Sequence, residues 1–94
     1  MKFIVDSNVG RLARWLRIAG FDTVFINDLD DNKLVKLALS EGRVLLTKDT
    51  QILKRRVATT GRLTVILIES ERVKEQLPQV VNELKLEGKI KPFT

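Results

Sequence analysis

The chain has 94 residues, of which 44% are apolar and 31% charged; this composition indicates one globular domain and excludes a disordered chain. It contains neither cysteine nor histidine, which excludes thiol nucleophiles, imidazole bases and zinc sites built from these side chains. The net charge of +5 and the pI near 9.9 point to a polyanionic partner.

The amino terminus does not resemble a signal peptide, because Asp6 would interrupt its apolar core. No apolar run approaches the roughly 18 residues that a membrane span needs, so no membrane partner is expected. The lack of cysteine agrees with a reducing compartment. A cytoplasmic location is therefore predicted.

Strands and helices alternate along the chain. A strand over residues 3–5 ends at Asp6, and an amphipathic helix over 9–19 follows, with Leu12, Trp15, Leu16 and Ala19 expected in the core. The later elements are a strand over 23–26, a helix over 32–40, a strand over 44–46, a short helix over 50–56, a strand over 63–68 and a helix over 71–86. Asp30 or Asp31 would cap the second long helix, and Pro78 would lie in the first turn of the last helix or interrupt it.

The strands are uninterrupted apolar runs, which is typical of a parallel sheet buried on both faces. Four strands alternating with helices predict a doubly wound α/β domain, with a mainly parallel sheet of about four strands between two layers of helices. The domain is expected to span residues 1–87. Residues 88–94 form a tail without a recognisable pattern.

Acidic residues follow the predicted strands where each one ends. Because the carboxyl ends of parallel strands share one edge of the sheet, these side chains are expected to lie near one another. The candidates are Asp6, then Asp28, Asp30 and Asp31, then Asp49 and Glu69. Converging carboxylates repel unless a cation neutralises them, and oxygen ligands alone favour Mg²⁺ or Mn²⁺.

Each acid also has a simpler interpretation. Asp6, Asp31 and Asp49 each precede a helix and could serve only as its cap. Asp28 and Asp30 suit turns, and Glu69 suits a loop or a cap. The functional hypothesis depends on these acids as a group, because at least one acid follows each strand at the same edge of the sheet.

Basic residues form two strips beside these acids. Arg11, Arg14 and Arg17 recur along the first helix, and Lys48 precedes the cluster Lys54, Arg55 and Arg56. Such strips are usually solvated, but here they adjoin the acidic rim. Contacts with RNA phosphates are predicted for Arg11, Arg14, Lys48, Arg55 and Arg56. Trp15 is assigned to the core because it aligns with Leu12 and Leu16.

Four segments are similar to one known family. Residues 3–17 read FIVDSNVGRLARWLR, residues 30–34 read DDNKL, residues 41–49 read EGRVLLTKD, and residues 53–56 read LKRR. In the same order and spacing, over roughly residues 2–86, this pattern resembles the Mut7-C ribonuclease family, a PIN-like group.

The resemblance implies a PIN-like three-layer fold and metal-dependent cleavage of RNA. By position it gives the catalytic, metal-binding acids as Asp6, Asp31 and Asp49, with Asp30 as a further candidate metal ligand. Asn8 and Thr47 match supporting positions. Members of this family often continue into a zinc ribbon with two Cys-x-x-Cys pairs; these cysteines are absent, and the tail 88–94 stands where such a ribbon would start.

Two other functions remain as alternatives. A receiver-like phosphoacceptor domain would need paired acids after the first strand and a lysine after a fifth strand, whereas Asp6 stands alone and four strands are predicted. A non-catalytic nucleic-acid-binding or toxin-like PIN module would use the basic helices and not the carboxylates. The predicted partners are RNA and, as a homodimer, a second copy of the chain.

Overall fold

The structure is a computed structural model that describes residues 1–84. Helices cover both faces of a sheet in which all pairings are parallel. In chain order the elements are β1 (Lys2–Val5), a 3-10 turn (Ser7–Val9), α1 (Gly10–Ile18), β2 (Asp22–Phe25), α2 (Asp31–Glu41), β3 (Val44–Thr47), α3 (Thr50–Leu53), α4 (Arg56–Thr59), β4 (Val65–Leu67) and α5 (Val73–Leu84). None of these helices is long and apolar enough to cross a membrane. The predicted tail 88–94 lies outside the described residues.

The four strands lie in the order β2-β1-β3-β4, so β1 and β3 form the centre of the sheet. Alternate strand residues point to opposite faces and build two cores. Phe3, Val5 and Leu46 pack on the side of α1 and α5, whereas Ile4 and Leu45 pack on the side of α2 and α3. The predicted doubly wound three-layer α/β fold is confirmed.

Helix α1 packs through Leu12 and Leu16, both fully buried, but Trp15 is 43% exposed. The assignment of Trp15 to the core is therefore wrong. Successive residues of an α-helix are rotated by about 100° around its axis, so Trp15 lies well to the side of Leu16. The buried arc continues in the other direction, to Ala13 and Val9.

Helix α2 begins after Asp30, whose carboxylate accepts a hydrogen bond from the Lys33 amide at 2.9 Å. Asp30 is therefore the cap, and Asp31 is the first residue inside the helix. Gly42 ends the helix with a φ of 63°, a left-handed conformation that glycine adopts without strain.

The later elements differ from their predicted bounds. The single helix expected over 50–56 is two separate turns, α3 and α4, because Arg55 between them has an extended backbone. Strand β4 is also shorter than predicted. Pro78 lies inside α5 and does not interrupt it, and the buried residues Val80 and Val81 follow it in the same helix. The predicted end of this helix, residues 85–86, lies outside the described part of the chain.

Arg43 joins the amino-terminal ends of three strands. Its side chain is only 9% exposed, and its Nη1 donates to the Phe3 carbonyl at 3.2 Å and to the Asp22 carboxylate at 2.9 Å. A second ion pair joins it to Glu41. The hydrogen bond from Arg43 holds the pKa of the Asp22 carboxyl below its usual value. This contribution to stability is therefore present at neutral pH and is lost as the pH falls through the lowered pKa.

Replacing Arg43 with Met is expected to lower the free energy of unfolding by about 2 kcal/mol, because the charged hydrogen bonds of a side chain that is only 9% exposed are removed. Urea denaturation followed by circular dichroism measures the change. Arg72→Met is the control: the Arg72 side chain is 71% exposed, and its ion pair within residues 1–84 is with Glu75. It should cost less than about 0.5 kcal/mol. Equal losses in the two variants would contradict the role assigned to Arg43.

Candidate active site

The candidate site lies at the carboxyl ends of β1 and β3. Helix α1 packs on one face of the sheet and α2 on the other, so the chain leaves β1 and enters β3 on opposite sides. This is the switch point of a doubly wound sheet, where ligands of such folds bind. Asp6 directly follows β1, and Thr47 is the last residue of β3.

Asp6 is held in place from two directions. Its Oδ1 accepts a hydrogen bond from the Ser7 amide at 2.8 Å, and its Oδ2 accepts one from Thr47 Oγ1 at 2.7 Å. The residue is only 7% exposed. The cap expected at Asp6 is therefore present, although it begins a 3-10 turn and not α1 itself. The same carboxylate is fixed across the two central strands by Thr47.

Thr47 connects Asp6 to Asp49. The fully buried Thr47 hydroxyl donates to Asp6 and accepts a hydrogen bond from the Asp49 amide at 3.0 Å. Asn8 lies on the same edge, where its Oδ1 accepts from the Lys48 amide at 3.3 Å. Thr47 and Asn8 thus hold the loop after β3 against the loop after β1.

Asp31 and Asp49 form a pair of acids beside Asp6. Burial raises the pKa of Asp31; a hydrogen bond to Asp49 and the charges of Asp49 and Asp6 raise it further, while the Arg55 guanidinium opposes them. Asp49 also caps α3, since its Oδ1 accepts from the Gln51 amide at 2.9 Å. Asp6 after β1, Asp31 at the start of α2 and Asp49 after β3 therefore lie at the same edge of the sheet.

The other acids are less closely associated. Asp30 is exposed and engaged in capping α2. Asp28 is an exposed turn residue with a φ of 59°. Within residues 1–84, no three Asp, Glu, His or Cys side chains are grouped closely enough to hold one metal ion. Asp31 is nevertheless close enough to Asp49 and Asp6 for their negative charges to raise its pKa beyond the effect of burial.

Replacing Asp31 with Asn is expected to stabilise the metal-free protein at neutral pH. A carboxyl with a raised folded-state pKa binds its proton more tightly when folded, so stability is lost as the pH rises through that value. The gain should be on the order of 0.5 kcal/mol at pH 7 and should shrink as the pH is lowered through the raised pKa of Asp31. Thermal unfolding in EDTA at pH 7 and at a series of lower pH values measures it. Asp30→Asn, which keeps a good cap, should change little, and a destabilised Asp31→Asn protein would contradict the expectation.

The same segments match a known family over the full chain. The family model of the Mut7-C RNAse domain matches residues 1–94. The chain belongs to the Mut7-C RNAse domain family. No curated protein and no solved structure matches it significantly. The resemblance seen in the sequence is thereby confirmed, and the family indicates a ribonuclease-type function.

In this Mut7-C domain the predicted phosphate-binding residues occupy two kinds of environment. Arg11, Arg14 and Arg56 are exposed. Lys48 instead forms an ion pair with Glu71, and Arg55 Nη1 donates to Asn32 Oδ1 at 2.8 Å. These two cations lie at the acidic edge but already have protein partners.

No pattern in the sequence marks Glu71 or Asn32 as a neighbour of the site. Both are exposed polar residues close to the start of a helix, and they meet their partners across 23 residues of chain in each case. Nothing in the spacing of residues reports such a distant ion pair or hydrogen bond. These contacts depend on the fold, which brings Lys48 next to Glu71 before α5 and Arg55 next to Asn32 in α2.

Proposed function

We propose that this domain is a ribonuclease that uses Mg²⁺ or Mn²⁺ to cleave RNA phosphodiesters at the edge formed by Asp6, Asp31 and Asp49. The observation that carries the proposal is the Thr47 hydroxyl, which donates to the Asp6 carboxylate and accepts from the Asp49 amide, so that both acids lie at the same edge. Burial and the neighbouring carboxylates of Asp49 and Asp6 raise the pKa of Asp31, which supports its inclusion in this group. Neighbouring carboxylates favour a bound cation, because their repulsion raises the free energy of the ionised group. The ribonuclease family and the basic net charge support the choice of RNA.

The donor set suits a hard divalent cation. All three side chains offer carboxylate oxygens, and the chain has no histidine or cysteine to bind a softer metal. Asp31 and Asp49 would hold the ion, and Asp6 would add its negative charge nearby. When bound, Mg²⁺ would stabilise the charge that develops on the phosphoryl oxygens during cleavage.

The remaining residues have positioning and binding roles in this proposal. Thr47 keeps Asp6 in one orientation, since its hydroxyl donates to Oδ2 at 2.7 Å. The exposed guanidinium groups of Arg11, Arg14 and Arg56 would bind phosphates flanking the cleaved bond. Such contacts would give salt-dependent affinity with little sequence preference.

The test is cleavage of single-stranded and structured RNA in Mg²⁺, in Mn²⁺ and in EDTA, with wild-type protein and Asp49→Asn. Wild-type cleavage should require the metal, and Asp49→Asn should lose at least about 100-fold in rate, the scale of a lost charged catalytic group. The cap on α3 should survive, because Asn accepts from the Gln51 amide as Asp does. Matching circular dichroism spectra of the two proteins would show that any loss of rate is not a loss of fold.

Two outcomes would reject this function. Cleavage that persists in EDTA would exclude the metal. RNA binding without cleavage by the wild-type protein would favour the non-catalytic binding module, whose affinity should be unchanged in Asp49→Asn. Gel-shift titrations at two salt concentrations measure that affinity.

A further inference from the structure

Trp15 is a residue that neither the core nor the acidic edge accounts for. It is the single tryptophan of the chain, and it is 43% exposed. Tryptophan is highly buried on average, because its indole removes a large apolar area from water. Within residues 1–84, Trp15 also forms no pair with another aromatic ring. Trp15 therefore leaves apolar surface in solvent for a partner to cover.

Two exposed cations lie on the same face of α1 as Trp15. Because successive helix residues are rotated by about 100°, Arg11, Arg14 and Trp15 fall within an arc of about 100° around the axis. All three are exposed, and α1 contains no acidic residue. The ion pairs of the described part of the chain include neither Arg11 nor Arg14. This face thus combines an aromatic ring with positive charge that is not neutralised by a neighbouring acid.

The face begins at the candidate active site. Arg11 lines the same cleft as Ser7 and Asn8, and the Ser7 amide donates to the Asp6 carboxylate. Trp15 lies about one helical turn farther along α1, at an axial rise of about 6 Å from Arg11. A polymer that passes Asp6 and continues along this helix therefore meets Arg11 first and Trp15 next.

Single-stranded nucleic acid matches this surface. Guanidinium groups bind its phosphates, and an aromatic ring stacks with any unpaired base, since every base has a π face. Bases within a duplex are already stacked on their neighbours and do not offer that face. A second copy of the chain fits less well, because the net charge of +5 would bring two basic faces together.

We propose that this face of α1 binds the single-stranded RNA that leads into the candidate active site, with one unpaired base stacked on Trp15. Arg11 and Arg14 bind the phosphates on either side of that base. The inference rests on the proposed function for its choice of RNA, and it adds to that function a preference for unpaired over duplex RNA. Binding can be measured in EDTA, without cleavage.

The first experiment uses the fluorescence of Trp15, which is specific because the chain has no other tryptophan. Wild-type protein in EDTA is titrated with a single-stranded RNA oligonucleotide that lacks self-complementarity, with the corresponding duplex, and with an abasic ribose-phosphate chain of the same length. A base stacked on the indole should quench its emission. We expect strong quenching by the single strand and little by the duplex or the abasic chain at the same fraction bound.

The second experiment measures the affinity of α1 variants for a labelled single strand by fluorescence anisotropy. Trp15→Leu removes the ring and should weaken binding about tenfold, the scale of one lost stacking contact. Trp15→Phe keeps an aromatic ring and should lose less. Ile18→Ala is the matched control, because Ile18 is 49% exposed on the same face but has no π surface. It should leave the affinity unchanged, and circular dichroism shows whether each variant is folded.

Arg14→Met tests the phosphate contact separately from stacking. It should weaken binding and reduce the slope of log affinity against log salt concentration by about 0.7, the value for one contact with a single strand. Lys36→Met is the control, since it removes the same charge from an exposed position of α2, on the opposite face of the sheet. It should change the slope little.

Several results would overturn the stacking contact. These are unchanged affinity in a folded Trp15→Leu protein, equal losses in Trp15→Leu and Ile18→Ala, or equal quenching by the single strand and the abasic chain. A dimer in the absence of RNA that Trp15→Leu dissociates would also overturn it, because this face would then join two copies of the chain.

The stacking contact and the ribonuclease function can fail separately. Metal-dependent cleavage whose KM is unchanged in Trp15→Leu would reject the stacking contact and leave the ribonuclease proposal intact. Quenching by single strands in a protein that cleaves no RNA would support the stacking contact and reject the ribonuclease function.

Discussion

Replacing Asp6 with Asn is expected to lower kcat for RNA cleavage by about 10² to 10⁴-fold. The change removes one negative charge at the acidic edge. The expected loss of rate corresponds to an increase of about 3–5 kcal/mol in the activation free energy. Asp6 is the most firmly oriented of the three acids, because both of its oxygens accept hydrogen bonds. Single-turnover cleavage at saturating Mg²⁺ measures the effect on chemistry separately from binding.

The Asp6→Asn protein should remain folded. The amide oxygen can still accept from the Ser7 amide, and the amide nitrogen can donate to Thr47 Oγ1 in place of the present bond. Asp28→Asn is the matched control, since Asp28 is an exposed turn residue of positive φ, a conformation that Asn also tolerates. Full activity in Asp28→Asn with loss in Asp6→Asn is the expected result. Comparable activity in the two variants would contradict the proposed role of Asp6.

Replacing Leu12 with Ala is expected to cause the largest loss of stability, about 2–5 kcal/mol. Leu12 is fully buried in the core between α1 and the sheet, and its neighbours can only partly fill the cavity. For a domain of this size the melting temperature should fall by roughly 10–30 °C. Thermal unfolding monitored by circular dichroism tests the prediction.

Ile18→Ala is the control for this substitution. Ile18 is on the same helix but is 49% exposed, so less apolar surface is lost and little cavity forms. Its cost should stay below about 1 kcal/mol. If Leu12→Ala were no more destabilising than Ile18→Ala, the assignment of Leu12 to the core would be wrong.

The sequence predicted the sheet and its edge because these depend on local patterns. Uninterrupted apolar strands of three to four residues are typical of parallel sheets. The carboxyl ends of parallel strands share one edge of the sheet, so an acid that follows a strand lies at that edge. The choice of Asp31 came from the family resemblance, whereas the order of the elements predicted only that Asp6, Asp49 and the acids of the loop after β2 share one edge. Asp30 and Asp31 could not be separated in this way, because adjacent acids before a helix are equally good caps until the helix start is known.

Trp15 and Arg43 show what the patterns cannot provide. Periodicity identifies the apolar face of α1 but not the limits of its buried part. Those limits depend on how far the sheet and α5 extend across the helix. Arg43 interrupts no apolar strand and is typical of a surface residue. Its side chain is nevertheless only 9% exposed and donates hydrogen bonds to Asp22 and Phe3, which are 21 and 40 residues away. Long-range polar contacts of this kind leave no periodic signal in a single sequence.

The pairing of β1 with β3 also has a consequence for the folding kinetics of this domain. Along the chain, β1 and β3 are joined through α1, β2 and α2. The contact between Asp6, just after β1, and Thr47 in β3 therefore closes a loop of about 40 residues, which lowers the folding rate. Helices α1 and α2 can form earlier from contacts within each helix. During refolding, far-ultraviolet dichroism should therefore recover before cleavage activity does. Activity would then report the closure of the central parallel pair, a step that helix content does not detect.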